Sequence, residues 1–167
     1  MIKKTFYTVI ALMFVAGIAA ANTTGTLLLR GTVPAILEVT VTPEPAANSL
    51  DLSIDVTDLH VATVNERSNN LGGYTITLSS ANAAAEGTSD GVFLSADVDN
   101  DDALQYSITY DGAAVVFGGG SAIVADVNGR TSALGNSRDV RISYTGSAEF
   151  MYADEYEDTL TFTIAAK

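Results

Sequence analysis

The residues best suited to chemistry are the alternating aspartates Asp97, Asp99 and Asp101, which are followed directly by Asp102. Calcium takes six to eight oxygen ligands, many of them carboxylates, so spaced aspartates in a loop are a weak candidate for a calcium site. The EF-hand pattern fails, because its glycine position holds Asp102 and its final glutamate position holds Ile108. We therefore interpret the run as a solvated acidic loop, keep a calcium site of another type as the alternative, and predict no cofactor.

The second kind of chemistry to consider is catalysis by groups of side chains. His60 is the only histidine, so a Ser/His/Asp triad would have to use it, and no G-x-S-x-G motif is present. Paired carboxylates could serve glycoside hydrolysis, but a chain without tryptophan offers little aromatic platform for a sugar. The carboxylates concerned are Glu149, Asp154, Glu155, Glu157 and Asp158. The absence of cysteine excludes thiol catalysis and cysteine–zinc sites, and we predict that the chain is not an enzyme.

The first 21 residues have the pattern of an export signal. Lys3 and Lys4 form a positive region, residues 6–18 form an apolar core, and three alanines at residues 19–21 suit signal cleavage. The apolar core is shorter than a bilayer span requires. We expect residues 1–21 to be removed, the protein to reach the periplasm and then the cell surface or medium, and no membrane insertion to follow.

The composition of the chain without the signal limits the classes of partner that it can bind. Removing 21 of the 167 residues leaves 146, which is the size of one domain. Because Lys3 and Lys4 leave with the signal, six basic residues face 20 acidic ones, a net charge of −14. Nucleic acid is excluded as a partner, since phosphate binding requires basic groups.

Alternation of apolar and polar residues runs through the chain and predicts an all-β fold. Period-two alternation is typical of strands that bury one face. The apolar faces are Leu50, Leu52 and Ile54; Tyr74, Ile76 and Leu78; Leu104, Tyr106, Ile108 and Tyr110; Val140, Ile142 and Tyr144; and Leu160, Phe162 and Ile164. The Asp111-Gly112 pair predicts a hairpin, and the short segment at residues 81–85 is interpreted as a loop. Strands at intervals of about ten residues are typical of an all-β sandwich or barrel. Of these we predict an immunoglobulin-like sandwich of about eight to ten strands.

The segment after the predicted signal is strand-like as well. Its more apolar face carries Leu27, Leu29, Gly31 and Val33, while the other face carries Thr26, Leu28, Arg30 and Thr32. Such a strand can pair within its own sheet or with a neighbouring molecule. The sequence leaves both possibilities open.

Three stretches resemble subunits of chaperone–usher pili. Residues 24–33, TGTLLLRGTV, resemble a pilin donor strand, and residues 34–41, PAILEVTV, resemble the first core strand of the cysteine-free colonisation-factor class. Residues 156–164, YEDTLTFTI, resemble the Tyr-x-Asp-Thr ending of spore-coat-U-like and archaic pilus subunits.

The resemblance implies a division into a donor-like strand at residues 22–33 and a β-sandwich at residues 34–167, which lacks its last strand. Leu27, Leu29, Gly31 and Val33 would then be the donor side chains. The acceptor groove would include Leu160, Phe162 and Ile164. The implied partners are neighbouring subunits of the same fibre, a periplasmic chaperone and an usher. The alternative is a self-complete secreted sandwich that binds carbohydrate or calcium.

Overall fold

The computed structural model describes residues 23–146 and 151–167. The predicted signal peptide and Glu149 lie outside these residues. The chain divides into two compact units, one up to Val33 and the other Pro34–Lys167. Among the described residues no helix is long and apolar enough to cross a membrane.

The Pro34–Lys167 unit is built from antiparallel strands, which confirms the predicted all-β fold. The strands are β1 (Leu37–Pro43), β2 (Val56–Ser68), β3 (Tyr74–Ser80), β4 (Gly91–Ser95), β5 (Ala103–Tyr110), β6 (Ala113–Val115), β7 (Ser121–Val127), β8 (Asn136–Tyr144), β9 (Tyr156–Glu157) and β10 (Leu160–Ala166). The larger sheet has the order β1-β2-β8-β5-β4-β9, with β6 paired to β5. The smaller sheet has the order β10-β3-β7.

The core lies between the inward faces of these strands. In β3, β5 and β8 the buried side chains alternate with less buried ones, as the period-two pattern predicts. The fully or nearly fully buried members include Val64, Leu78, Ile108, Val140 and Ile142. Sequence alternation therefore identified the core face of these strands correctly.

The Asp111-Gly112 hairpin is also confirmed. It joins β5 to β6, and both central residues have positive φ, 51° for Asp111 and 80° for Gly112. Positive φ at both positions is the geometry of a tight hairpin turn that follows the twist of the strands.

Two local expectations were wrong. Residues 49–55 contain no strand, because the Asp51 side chain accepts a hydrogen bond from the Ser53 backbone nitrogen at 3.0 Å and closes a turn. Leu50 and Leu52 nevertheless pack against the core.

The second error concerns the segment expected to be a loop, which forms helix α1 (Ala81–Glu86). The Ser80 side chain caps its first turn by accepting from the Ala83 nitrogen at 3.0 Å. Gly87 ends the helix in the left-handed conformation, with φ of 68°. Capping at both ends makes a helix of six residues possible in this setting.

Candidate functional site

The two sheets have open edges that lie side by side. β10 pairs with β3 from Leu160↔Ser80 to Ala166↔Tyr74, and no described strand pairs with its other side. Among the strands that the structure describes, β1 likewise pairs only with β2. Cα atoms of β1 and β10 approach within 8 Å, yet no ladder joins the two strands. The sandwich is therefore open along this side.

The open side is lined by apolar residues from both edge strands. In β10, Leu160, Phe162 and Ile164 are half-buried, and the threonines between them are exposed. In β1 the corresponding alternating residues are Leu37, Val39 and Val41. We call these six residues the edge groove.

The edge groove is incompletely covered. Leu37 is 38% exposed and Val41 is 42% exposed, although both lie on the same alternating face as Val39, which packs against the core. β10 is seven residues long, so the groove extends about 23 Å along the strand. An apolar face of this length beside unpaired backbone groups has the properties of a site for one further strand.

A buried polar cluster lies behind the middle of the groove. The Phe162 ring lies 6.0 Å from the Tyr110 ring, and the Tyr110 hydroxyl donates to Glu66 Oε1 at 2.5 Å. The Tyr74 hydroxyl donates to Glu66 Oε2 at 2.7 Å. Glu66 is completely buried. A buried carboxylate is tolerated only when hydrogen bonds and counter-charges compensate its lost hydration.

Arg138 supplies the counter-charge. Its Nε atom lies 3.7 Å from Glu66 Oε2, and its guanidinium forms an ion pair with Asp111. Nε is buried and has no hydrogen-bond partner in the described part of the chain. Asn136 completes the cluster by donating from Nδ2 to the Tyr74 hydroxyl at 3.0 Å. We call Glu66, Tyr74, Tyr110, Asn136 and Arg138 the Glu66 cluster.

The tyrosines of this cluster are strongly biased toward the neutral form. Burial, followed by the hydrogen bond to Glu66, raises the pKa of Tyr74 to about 12. The same causes in the same order raise the pKa of Tyr110. Both hydroxyls therefore remain donors to Glu66 at physiological pH, and the cluster is a fixed structural element beneath the groove.

Asp158 holds the backbone just before the first residue of β10. Its Oδ2 atom accepts from the Ser80 hydroxyl and from the Tyr106 hydroxyl, each at 2.6 Å. Its Oδ1 atom accepts from the Asn82 backbone nitrogen at 3.2 Å. Asp158 is the aspartate of the Tyr-x-Asp-Thr stretch, and it connects the start of β10 to the end of β3 and to β5.

The carboxylates of the predicted calcium loop contact the chain itself. Asp97 Oδ1 accepts from the Asp99 backbone nitrogen at 3.0 Å, and Asp102 Oδ2 accepts from the Tyr152 backbone nitrogen at 2.6 Å. Asn100 donates to Asp154 at 3.1 Å. No group of three or more acidic or histidine side chains within residues 23–146 and 151–167 is arranged to hold a metal ion. A calcium role for Asp97, Asp99 and Asp101 stays a prediction.

His60 is half-buried in β2. Its Nε2 atom lies 2.9 Å from the Ala62 carbonyl oxygen, so this nitrogen carries the hydrogen and donates it. The same nitrogen lies 3.3 Å from the Thr63 hydroxyl. Because Nε2 is already a donor, it cannot accept a proton from Thr63, and the arrangement does not form a nucleophile–base pair.

A separate open cleft of about 830 Å³ lies between residues 47–53 and residues 151–158. Phe93 contributes to its floor. Its carboxylates are engaged with neighbouring groups: hydrogen bonds from Ser53 lower the pKa of Asp51, and those from Ser95 and Asn100 lower the pKa of Asp154. The cleft is concave and acidic, but these two carboxylates already accept hydrogen bonds from the protein.

The donor-like segment belongs to the other compact unit, which ends at Val33. Residues 23–33 form neither helix nor strand. Leu27, Leu29 and Val33 are 83%, 84% and 84% exposed, and Leu28 is 76% exposed. No heavy atom would lie within 4 Å of a Cβ added at Gly31. Continuous apolar exposure of this kind is typical of segments that bind a partner.

No protein-family model matches this chain, and no curated protein sequence matches it significantly. Leu160, Phe162 and Ile164 lie on one half-buried face of β10, and their role as an acceptor groove stays a prediction. The sequence pattern did not single out Glu66. It placed Tyr74 and Tyr110 on apolar strand faces and Asp158 in an acidic cluster, but it did not reveal their hydrogen bonds to Glu66 and Tyr106.

Proposed function

We propose that this chain is a structural subunit of a cell-surface fibre, in which residues 24–33 of one copy complete the sandwich of the next. The observation that carries this proposal is the edge groove, where apolar side chains lie along the unpaired outer edges of β1 and β10. Strand addition to such an edge is a known mode of protein assembly.

The strand order supports the proposal. In immunoglobulin-like domains one sheet has the order A-B-E-D and the other C-F-G. Here β1-β2-β8-β5 has the connectivity expected of A-B-E-D, and β3-β10 that of C-F. The position of strand G is the outer side of β10. We therefore propose an immunoglobulin-like sandwich that lacks G and receives it from a partner.

The donor-like segment has the length and side chains that this position requires. Leu27 to Val33 span seven residues, as many as β10. Burying Leu27, Leu29 and Val33 would contribute roughly 5–9 kcal/mol before the cost of ordering the segment. Gly31 provides a position where the backbone can approach the groove closely.

Charge also favours the pairing. Residues 22–33 contain Arg30 and no acidic residue, while all 20 acidic residues lie in the domain that would accept the segment. Opposite net charges accelerate association and discourage wrong partners. Because the donor and acceptor surfaces differ, the contact is head-to-tail and generates a filament instead of a closed dimer.

The proposed role requires export of the chain and other proteins that help it to assemble. A subunit with an open apolar groove would aggregate in the periplasm unless another strand covered it. We therefore propose a periplasmic chaperone and an usher as transient partners, and the cell surface as the destination. The chain itself would be non-enzymatic.

The test uses two full-length variants that differ only in which face of the segment they alter. Leu29→Asp places a charge on the proposed inward face, and Leu28→Asp places the same charge on the outward face. Polymerisation is measured by negative-stain microscopy and by SDS-resistant ladders at room temperature. We expect the parent and Leu28→Asp to form fibres and Leu29→Asp to remain monomeric. Equal assembly by both variants, or no assembly by the parent, would refute the proposal.

The acidic cleft supports a second candidate function, which is ligand binding by a self-complete sandwich. Its volume lies within the range of small-molecule sites. Calcium or an oligosaccharide would then raise the melting temperature of a protein that stays monomeric. If neither does so up to millimolar concentration, this candidate is rejected.

A further inference from the structure

Asn69 holds the backbone that immediately precedes β1. Its side-chain Oδ1 accepts from the Ile36 nitrogen at 2.8 Å, and its Nδ2 donates to the Pro34 carbonyl oxygen at 2.8 Å. The Asn69 backbone nitrogen also donates to the Ile36 carbonyl oxygen at 3.2 Å. Three hydrogen bonds from one residue thus fix residues 34–36.

These bonds extend the anchoring beyond the last paired residues of the sheet. The β1–β2 ladder ends at the Leu37↔Ser68 pair, and Asn69 follows directly. An asparagine amide carries an acceptor and a donor on one planar group, so it can bind the Ile36 nitrogen and the Pro34 carbonyl together. Aspartate can accept but not donate, and alanine can do neither.

The location matters because the donor-like segment ends at Val33. Directly after Val33, Pro34 and Ile36 are held by Asn69, and Leu37–Pro43 are held by the ladder with β2. A linker's reach and stiffness depend on the number and type of its free residues. This junction contains none of the Gly/Ser-rich sequence that flexible linkers have.

We propose that Asn69 is a positioning residue that makes the junction between consecutive subunits rigid, so that it limits how far a fibre of this chain bends. The partner at this junction is a second copy of the chain. The inference rests on the proposed function, because the junction joins two subunits only when residues 24–33 enter a neighbouring molecule.

A purely structural role of Asn69 would give a different experimental result. If Asn69 only closed the end of the sheet, its removal would lower the melting temperature of the domain and leave fibre bending unchanged. If it acts as proposed, bending increases even in variants that melt like the parent. The two readouts therefore separate the roles.

The experiment compares full-length fibres of the parent, Asn69→Ala, Asn69→Asp and the control Asn48→Ala. Asn48 is an exposed asparagine of the short helical turn Pro45–Asn48. The persistence length is measured from fibre contours in negative-stain micrographs, and exchange of the Ile36 amide is followed by NMR or mass spectrometry. We expect Asn69→Ala to shorten the persistence length about twofold or more, and Asn69→Asp to fall between it and the parent.

The outcomes are distinguishable. If Asn69→Ala or Asn69→Asp fibres bend like the parent, or if the Ile36 amide of the parent exchanges as fast as a free peptide, the inference is overturned while the proposed function stands. Should Asn69→Ala fail to fold, the near-isosteric Asn69→Asp decides alone. If the parent forms no fibres, the proposed function is refuted and the inference falls with it.

Discussion

Replacing Asp158 by asparagine tests how the first residues of β10 are held. The change preserves size but substitutes an NH₂ group for Oδ2, which accepts from Ser80 and Tyr106 at 2.6 Å each. An NH₂ group cannot accept, so both hydroxyls lose their partner. Ser80 and Tyr106 are 1% and 3% exposed, so water cannot replace the lost acceptor without rearrangement.

The magnitude follows from these two bonds. A hydrogen bond to a charged group contributes about 1.5–3 kcal/mol, and a buried donor left unsatisfied costs its hydration in addition. We therefore expect Asp158→Asn to lower the free energy of unfolding by about 3–5 kcal/mol. Since domains of this size have only about 5–15 kcal/mol of stability, the effect would be easily measured.

The assay is urea unfolding of the monomer fraction, followed by the near-ultraviolet circular dichroism of tyrosine because the chain has no tryptophan. The expected loss corresponds to a midpoint lower by about 2 M. The matched control is Glu157→Gln, which changes the neighbouring exposed carboxylate and should alter stability by less than about 0.5 kcal/mol. Equal midpoints for the two variants would show that the Asp158 bonds do not hold β10.

Three further outcomes are expected. Phe162→Asp, on the groove face of β10, should abolish fibre formation, whereas Thr161→Asp on the exposed face should permit it; microscopy of both variants decides. The free energy of unfolding should fall as the pH rises from about 10 to 12. The pKa of Tyr74 is near 10 in the unfolded chain and about 12 in the folded protein, so its contribution to stability is complete below pH 10 and is lost above pH 12. Urea midpoints measured over this pH range check the prediction, and they should change less in Tyr74→Phe. Gly91→Ala should destabilise by about 2–3 kcal/mol, because the added Cβ would lie 2.3 Å from the Tyr106 ring; thermal unfolding measures it, and an unchanged melting temperature would contradict the packing.

Much of the fold could be predicted from local sequence because several strands bury one face and expose the other. The period-two patterns of β3, β5, β8 and β10 correctly gave the inward residues, and Asp111-Gly112 gave the hairpin. The failures were also local: the Asp51 side chain closed a turn within an alternating run, and capping by Ser80 and Gly87 stabilised a helix shorter than sequence patterns usually reveal.

The polar contacts that support the groove could not be derived in this way. Glu66 and Tyr110 are 44 residues apart, and Asp158 and Tyr106 are 52 apart, so each pairing depends on the order of strands in the sheets. One signal was present: Glu66 continues the inward alternation of Ala62 and Val64, where a carboxylate requires compensation. A charged residue in an apolar register thus marks a buried polar cluster, but not its partners.

The most direct test of the central claim is a disulfide cross-link between two copies of the chain. The protein has no cysteine, so single-cysteine variants give unambiguous products. A tagged copy with Ile164→Cys is mixed under oxidising conditions with copies carrying a cysteine at Leu27, Leu29 or Val33, and with Leu28→Cys as the control. Neighbouring strands bring inward-facing residues within disulfide distance, so we predict cross-linked dimers of tagged and untagged chains for at least one inward position and none for Leu28→Cys. Cross-links absent from all three inward positions would contradict strand donation between molecules.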